Sequence, residues 1–377
     1  MAISIIPITR ANLNLVVKAA AKFGMPRSKR WLERCLYDPT VNDLVDSDIR
    51  GHMAVRDDGE VVAIQCYYYM PGYYKRQKFL MNTGCIMGAD AKYGEELICC
   101  LDENKQTTTY GLLSVGNCIA SPRSAKFAKA YSRMKEAPEA ARYTYLTVVD
   151  ISDFALWFLR RLKISASWLH WCVWAIMRPV AWVASIVRFY GFKNNEFTVR
   201  EFQLIDKRKF GDFWESFLAK NTGVATSRDP ERLSWLFDES MRAGFVKVLA
   251  AEKGDKIVGY VLLRRYPCKS GPLSEYAIYD ICAIDNNIEC LRYLVGAAVR
   301  YAAGHRGARV IYSGAAPQQE RWINAITWHR HTKAKFCPFF YKARDKDIEN
   351  SLKAGEGWFW GAFDGEKCLG HGRYIDA

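Results

Sequence analysis

The chain has 377 residues, half of them apolar and a quarter charged, with a net charge of +14 from 54 basic and 40 acidic residues. This composition excludes a disordered chain, and the length exceeds what one ordinary core serves, so two domains are expected. The positive charge favours phosphate-rich partners such as coenzymes, nucleotides, nucleic acid or anionic lipid, without choosing among them. The 12 cysteines are scattered, with no CxxC pair, and the first residues lack a secretion-signal pattern, so we expect a reduced, cytoplasmic protein.

The first 150 residues have the pattern of alternating strands and helices. A strand is predicted over 4–8, and two helices follow, the second beginning at Ser28 and ending before Pro39. A hairpin is predicted over 52–70, because its two β-rich runs are joined by a turn that ends in Gly59. Further strands are predicted over 79–89, 110–118 and 143–151, with helices over 94–105 and 121–134.

The stretch 154–193 differs from the rest of the chain, since it carries five tryptophans and six basic residues but no acid. Apolar residues cover every face of a helix here, so the helix must be buried against something. A bilayer span is disfavoured because His170, Arg178 and Pro179 interrupt the apolar run. Two alternatives stay open: a helix lying on an anionic membrane surface, and a helical hairpin packed against the protein's own domains.

The element order of the first part returns after this stretch. A strand over 197–204, two helices, a hairpin turned at Gly254, a strand, a helix over 287–305 and another buried strand follow in sequence. In each part a tryptophan, Trp31 or Trp235, lies on the helix before the hairpin. We interpret this as an internal duplication. The predicted domains are 1–150 and 195–377, joined by a helical insert over 151–194.

This order resembles the GNAT superfamily of N-acyltransferases, and the segments SRDPERLSWLFDE and KVLAAEKGDKIVGYVLLRR are similar to tandem GNAT proteins of bacterial polysaccharide and envelope chemistry. The resemblance covers nearly the whole chain except the Trp-rich insert. It implies an α/β fold of two GNAT-like domains, with mixed, mostly antiparallel central sheets flanked by helices. It also implies an acyl-CoA co-substrate, with acetyl-CoA as the expected donor, and no metal.

In the family, a Gly-rich loop between the fourth strand and the third helix holds the coenzyme A pyrophosphate. The second half has no glycine there and carries Asp285, so the donor site is expected in the first half, although the acidic pair Glu95 and Glu96 begins that helix. A donor bound by neither half in the family's usual way stays open. The resemblance implies a cofactor-binding set of Gly88, Ala89, Lys92, Tyr93, Gly94 and Asn117.

The chemistry of this family needs a base for the acceptor and an acid for the leaving thiolate. By the resemblance, Tyr131 is the candidate acid. Asp280, an acid inside an apolar strand, is either the candidate base or one half of an ion pair with a neighbouring arginine such as Arg264. The local excess of tyrosines suggests an acceptor cleft, or core packing, with the candidate substrate-binding residues Tyr67, Tyr69 and Tyr276.

No P-loop, nucleophile elbow or dinucleotide fingerprint is found. His329, His331 and Cys337 lack a second ligand pair at zinc spacing.

The predicted function is an acyl-CoA-dependent N- or O-acyltransferase acting on an envelope sugar or lipid-linked precursor, at the inner face of the membrane. Two alternatives are kept: a Fem-like transferase that uses aminoacyl-tRNA, for which nucleic acid would be the partner, and a non-catalytic GNAT-fold scaffold or regulator.

Overall fold

The computed structural model describes residues 2–107, 111–117, 133–136, 143–149, 151–164, 166–190, 196–267, 274–315, 329–333, 339–353 and 358–361. Their strands are β1 (Ile3–Pro7), β2 (Gly51–Arg56), β3 (Val61–Tyr74), β4 (Gln77–Ala89), β5 (Leu113–Asn117), β6 (Lys135–Glu136), β7 (Tyr143–Val148), β8 (Thr198–Phe202), β9 (Val224–Thr226), β10 (Val246–Lys253), β11 (Lys256–Pro267), β12 (Ser274–Ala283), β13 (Gly307–Ala315), β14 (His329–Lys333), β15 (Phe339–Ala343) and β16 (Trp358–Gly361). Their helices are α1 (Leu13–Lys22), α2 (Lys29–Leu36), α3 (Gly94–Thr107), α4 (Ile151–Arg161), α5 (Ser167–Tyr190), α6 (Lys207–Lys220), α7 (Pro230–Arg242), α8 (Ile288–Gly304) and α9 (Lys346–Lys353).

The first sheet follows the predicted hairpins. Strands β1 to β4 pair antiparallel in chain order, and β4 then pairs parallel with β5. Gly59 has a φ of +81°, the left-handed conformation for which glycine is preferred, so the predicted turn is confirmed. Helices α1 and α2 pack on one face of β3, and α3 covers the other face.

The second sheet repeats this arrangement with the strands β8, β10, β11, β12 and β13. The second sheet repeats the β-bulges of the first sheet as well as its strand order. Val62 and Val258 are the extra residues of two matching β-bulges on β3 and β11, and Cys85 and Tyr279 are the extra residues of a second matching pair on β4 and β12. Because a bulge changes which side chains face the core, matching bulges give the two halves matching faces. The predicted α/β fold with mixed, mostly antiparallel sheets is confirmed.

The two sheets exchange strands near their edges. β15, from late in the chain, pairs antiparallel with β5 of the first sheet, and β6 adds outside it. Reciprocally, β7 from the first part of the chain pairs antiparallel with β13 of the second sheet, and β14 adds outside that. Each sheet is therefore completed by a strand from the other part of the chain.

The halves also share a hydrophobic core. One cluster of buried side chains contains Leu36 and Tyr68 from the first half together with Phe210 and Leu236 from the second. Strands β9 and β16 join the two sheets into a continuous one, because β9 pairs with β3 and β16, and β16 pairs with β13. The described part of the molecule therefore packs as one body, while the domain boundaries proposed from the sequence stay predictions.

The Trp-rich stretch forms a helical hairpin. α4 lies against β13, and α5 packs along α4. The side chains of Trp168 and Trp171 are each 69% exposed, and Ile176 is 66% exposed. None of the helices in the described ranges has the length and apolarity needed to cross a membrane.

Candidate functional site

The first candidate site is the gap between β4 and β5. Their parallel pairing joins Met81, Asn82 and Thr83 to Leu113, Ser114 and Val115. β4 then continues to Ala89, and β5 to Asn117, without further pairing between the described strands. The backbone amides of β4 beyond Thr83 are therefore not held by β5.

The loop after β4 is fixed by ion pairs. The Lys22 ammonium lies 2.7 Å from an oxygen of Asp90 and 2.8 Å from one of Glu60. The Asp90 N–H donates to the Val62 carbonyl, and the Tyr93 N–H donates to the Asp90 carbonyl. Partial burial lowers the pKa of Lys22, but the ion pairs outweigh it, so the pKa lies above its ordinary value. The Asp90 charge is thus largely matched by Lys22.

The remaining loop charges are mixed. Lys92 is exposed, with its ammonium 5.2 Å from the centre of the Tyr93 ring. Gly94 begins α3 with open space where a side chain would be. Glu95 and Glu96 occupy the first turn of α3, where their charges oppose an anion at the helix N-terminus. Lys92 is therefore the cation best placed to offset them.

Close packing against α1 favours glycine at position 88. A Cβ atom at this position would lie 2.8 Å from a ring carbon of Phe23, at the end of α1. The glycine thus lets α1 approach β4 closely, whether or not a coenzyme binds nearby. The sequence suggested only that Gly88 binds the coenzyme phosphates. It did not reveal the contact with Phe23, because the two residues are far apart in the chain.

The equivalent loop in the second half is built differently. β12 and β13 pair only as far as Ile278 and Tyr312, so they also separate. Asp285 and Asn286 have φ values of +57° and +50°, and the Asn287 side chain accepts a hydrogen bond of 2.9 Å from the Cys290 N–H. This cap occupies an amide at the start of α8 that a phosphate would need. The placement of a donor site in the first half stays a prediction.

Asp280 is held in a buried ion pair. Its carboxylate accepts two hydrogen bonds of 2.9 Å from the Arg228 guanidinium and a third from the Tyr260 hydroxyl. Arg228 also donates to the Thr226 carbonyl at 2.9 Å. Burial and the neighbouring carboxylate raise the pKa of Tyr260, so this phenol remains a donor. The ion-pair alternative is observed, but its partner is Arg228 and not Arg264.

A bulge changes the face on which Asp280 lies. Regular alternation along the strand predicts that Asp280 shares a face with Tyr276 and Ile278, and this prediction is wrong. Tyr279 is the extra residue of the bulge, so Tyr276 and Ile278 face the α8 side, whereas Asp280 contacts Tyr260 on the other side.

A second buried arginine links the two halves next to this ion pair. Arg232 donates to the Ser227 carbonyl at 2.7 Å and to the Tyr68 hydroxyl at 3.3 Å, and its Nε lies 3.5 Å from Asp38. Asp38 and Tyr68 belong to the first half. Sequence reasoning missed both Arg228 and Arg232, since no local pattern marks partners so distant in the chain.

The three predicted substrate-binding tyrosines are not brought together. The rings of Tyr67 and Tyr69 are 6.4 Å apart in a small apolar cluster of the first half. Tyr276 is buried in the second half, where its ring packs against Tyr301 and its hydroxyl lies 3.4 Å from the His305 carbonyl. Burial raises the pKa of Tyr276. A single acceptor cleft lined by all three is not observed.

Other predicted site residues are only partly described. Asn117 ends β5, with its backbone opposite Phe339, and nothing is described of its side chain. Tyr131 lies outside the described residues, as does Cys337. His329 and His331 lie on β14. Among the described residues, no group of histidine, cysteine and acidic side chains could hold a metal ion.

Solved structures share this architecture. A GCN5-related N-acetyltransferase from Anabaena variabilis superposes with a TM-score of 0.55 at 12% identity, over 92% of this chain and 74% of that chain. A conserved protein from Enterococcus faecalis, described as a probable N-acyltransferase, gives 0.54 at 8% identity, with 92% and 74% covered. Saccharomyces cerevisiae N-myristoyltransferase with bound myristoyl-CoA gives 0.52 at 9% identity, with 91% and 79% covered.

No protein-family model and no curated protein matches the chain. At these identities the structural similarity establishes the fold alone, and that fold is the GNAT fold.

Proposed function

We propose that this chain is an acyltransferase that takes an acyl group from coenzyme A, with acetyl-CoA as the expected donor. The acceptor is an amine or hydroxyl of an envelope sugar or lipid-linked precursor. The observation that carries the proposal is the opening between β4 and β5 in the first half, followed directly by the anchored loop and α3. The fold shared with N-acetyltransferases and N-myristoyltransferase supports the same reaction class.

In this proposal, the backbone amides of β4 beyond Thr83 that point away from β3 polarise the thioester carbonyl. Lys92 and the first amides of α3 bind the pyrophosphate. The ion pair between Lys22 and Asp90 keeps the loop in place and reduces the negative charge that an incoming phosphate meets. The first half therefore carries the donor, and the second half supports it. Tyr131 is retained as the proposed acid.

Asp280 has a different role in this proposal from that of a free base. Its carboxylate already accepts hydrogen bonds from Arg228 and Tyr260 in a buried environment. Asp280 is only 3% exposed, so an acceptor would have to enter the core to reach it. We therefore assign Asp280 to holding Arg228 in place within the second half.

Calorimetric titration with acetyl-CoA and longer acyl-CoAs tests the donor assignment. We expect binding by the intact chain, and about tenfold weaker binding by Lys92→Ala, because a charge-assisted contact to phosphate is lost. Lys256→Ala is the matched control, since Lys256 is an exposed lysine at the start of β11 in the second half. If the wild-type chain binds no acyl-CoA, the donor assignment is wrong.

A second candidate donor is an aminoacyl-tRNA. The acidic first turn of α3 opposes a pyrophosphate, while the net charge of +14 suits a polyanion. Titration with tRNA at increasing salt separates the two, because the binding of a polyanion falls steeply with salt concentration. A chain that binds neither donor is a GNAT-fold scaffold.

We further propose that α5 docks on an anionic membrane surface. Trp168, Trp171 and Trp174 follow one another at near-helical spacing and are exposed, and Arg178 lies on the same helix. Indole rings prefer the headgroup region of a bilayer, and arginine is attracted to anionic lipid. A peripheral position would bring the enzyme to a lipid-linked acceptor.

A further inference from the structure

Within the ranges that the structure describes, four arginines are almost completely buried, and three of them have acceptors. Arg228 binds Asp280, Arg232 pairs with Asp38, and Arg50 donates to the Leu36 carbonyl at 2.7 Å. Arg264, on β11, is only 1% exposed. Its Nε is enclosed without an acceptor, and no described residue accepts a hydrogen bond from its guanidinium or lies within ion-pair distance. Arg264 thus differs from every other buried arginine in the described ranges.

Two tyrosine rings flank this guanidinium. The centre of the Tyr279 ring is 5.4 Å from the Arg264 Cζ, and that of Tyr266 is 5.8 Å away. The two tyrosine hydroxyls are hydrogen-bonded to each other. Tyr279 is the extra residue of the bulge on β12, and its side chain belongs to the core shared by the two halves. The bulge therefore helps to create the aromatic surroundings of Arg264.

The residues directly opposite Arg264 on the neighbouring strands are uncharged. Arg264 lies opposite Val246 on β10 and Ala277 on β12. Attraction to aromatic rings offsets only part of the cost of taking a guanidinium out of water. A charge that is buried, flanked by rings and without a counter-ion among the described residues is costly for stability alone, but it suits the binding of an anion.

We propose that Arg264 is the anchor of an oxyanion-binding site, which takes the carboxylate or phosphate group of a small-molecule ligand. The planar guanidinium offers paired N–H donors that match either group. Tyr266 and Tyr279 form the walls of the site and exclude water from the contact. The site is anchored on β11 of the second half and does not depend on the assignment of the loop proposed to bind the acyl donor.

Thermal unfolding in buffers of equal ionic strength tests the site, with sodium chloride, sodium phosphate and sodium acetate as the probes. A ligand that binds only the folded state raises the unfolding midpoint. We expect phosphate, acetate or both to raise the midpoint of the wild-type chain above its value in chloride. Arg264→Gln should abolish that difference. Arg265→Gln is the matched control, because Arg265 is the next residue along β11 and already donates to the Ser274 hydroxyl at 2.8 Å.

A second measurement uses chloride buffer alone. There Arg264→Gln should unfold at a higher temperature than the wild type, since it removes a buried charge without a counter-ion. A response to phosphate only assigns a phosphate ligand, and a response to acetate only assigns a carboxylate. The proposal is overturned if the wild type responds to neither anion beyond chloride, or if Arg264→Gln responds as strongly as the wild type. A lower midpoint of Arg264→Gln in chloride would identify Arg264 as a structural cation and would also overturn it.

Discussion

The ion pair of Asp280 and Arg228 is almost completely buried, so the loss of either partner is costly. Asp280→Asn leaves the Arg228 charge buried without a counter-ion, and breaking such a pair costs about 3–5 kcal/mol of stability. We expect urea unfolding to show a loss of this size. Asp285→Asn should change the free energy of unfolding by less than about 0.5 kcal/mol, because Asp285 is exposed and asparagine tolerates its positive φ. A variant Asp280→Asn that keeps its stability but loses activity would instead identify Asp280 as the catalytic base.

At the scale of elements, α5 is a helix with an unusually apolar exposed surface. Replacing Trp168, Trp171 and Trp174 together by serine should weaken binding to anionic liposomes by at least about tenfold, because the indole rings supply much of the interfacial affinity. Co-sedimentation with liposomes measures this. Phe158→Ser combined with Leu162→Ser is a matched control, since both side chains are exposed apolar groups near the α4 end of the same hairpin.

Deletion of residues 164–187 is a second test of the membrane contact proposed for α5. If α5 serves as a membrane contact, the shortened chain stays folded and no longer sediments with anionic liposomes. A shortened chain that aggregates would show that the hairpin is part of the interdomain core. The membrane proposal would also fail if the triple serine variant bound liposomes as well as the wild type does.

At the scale of the whole molecule, the exchanged strands make the halves depend on each other. β15 completes the first sheet and β7 completes the second, and the core beneath α1, α2, α6 and α7 is shared. Fragments 1–194 and 195–377, produced separately, should therefore remain unfolded or aggregate, because each has an unpaired sheet edge and an open core. Mixing them should restore a folded complex, which near-UV circular dichroism and size-exclusion chromatography would detect. A cooperative, monomeric unfolding transition of either fragment alone would contradict this.

Much of the fold follows from the local pattern of the sequence. The strand of 4–8, the helix that begins at Ser28, the turn at Gly59 and the long helix of 287–305 all agree with the described elements within a few residues. Apolar periodicity and turn chemistry determine such elements, and both act between residues close in the chain. The repeated order of elements was visible for the same reason.

Tertiary structure decided the features that depend on residues far apart. The bulge at Tyr279, which turns Asp280 away from Tyr276, comes from strand pairing, and alternation along one strand does not reveal it. The choice of Arg228 over Arg264 as the partner of Asp280, and the exchange of β7 and β15, also require the folded arrangement. The sequence by itself therefore determined the elements, their order and the likeness of the two halves. Only the packed structure decided which side chains meet, because those contacts join segments that no local pattern connects.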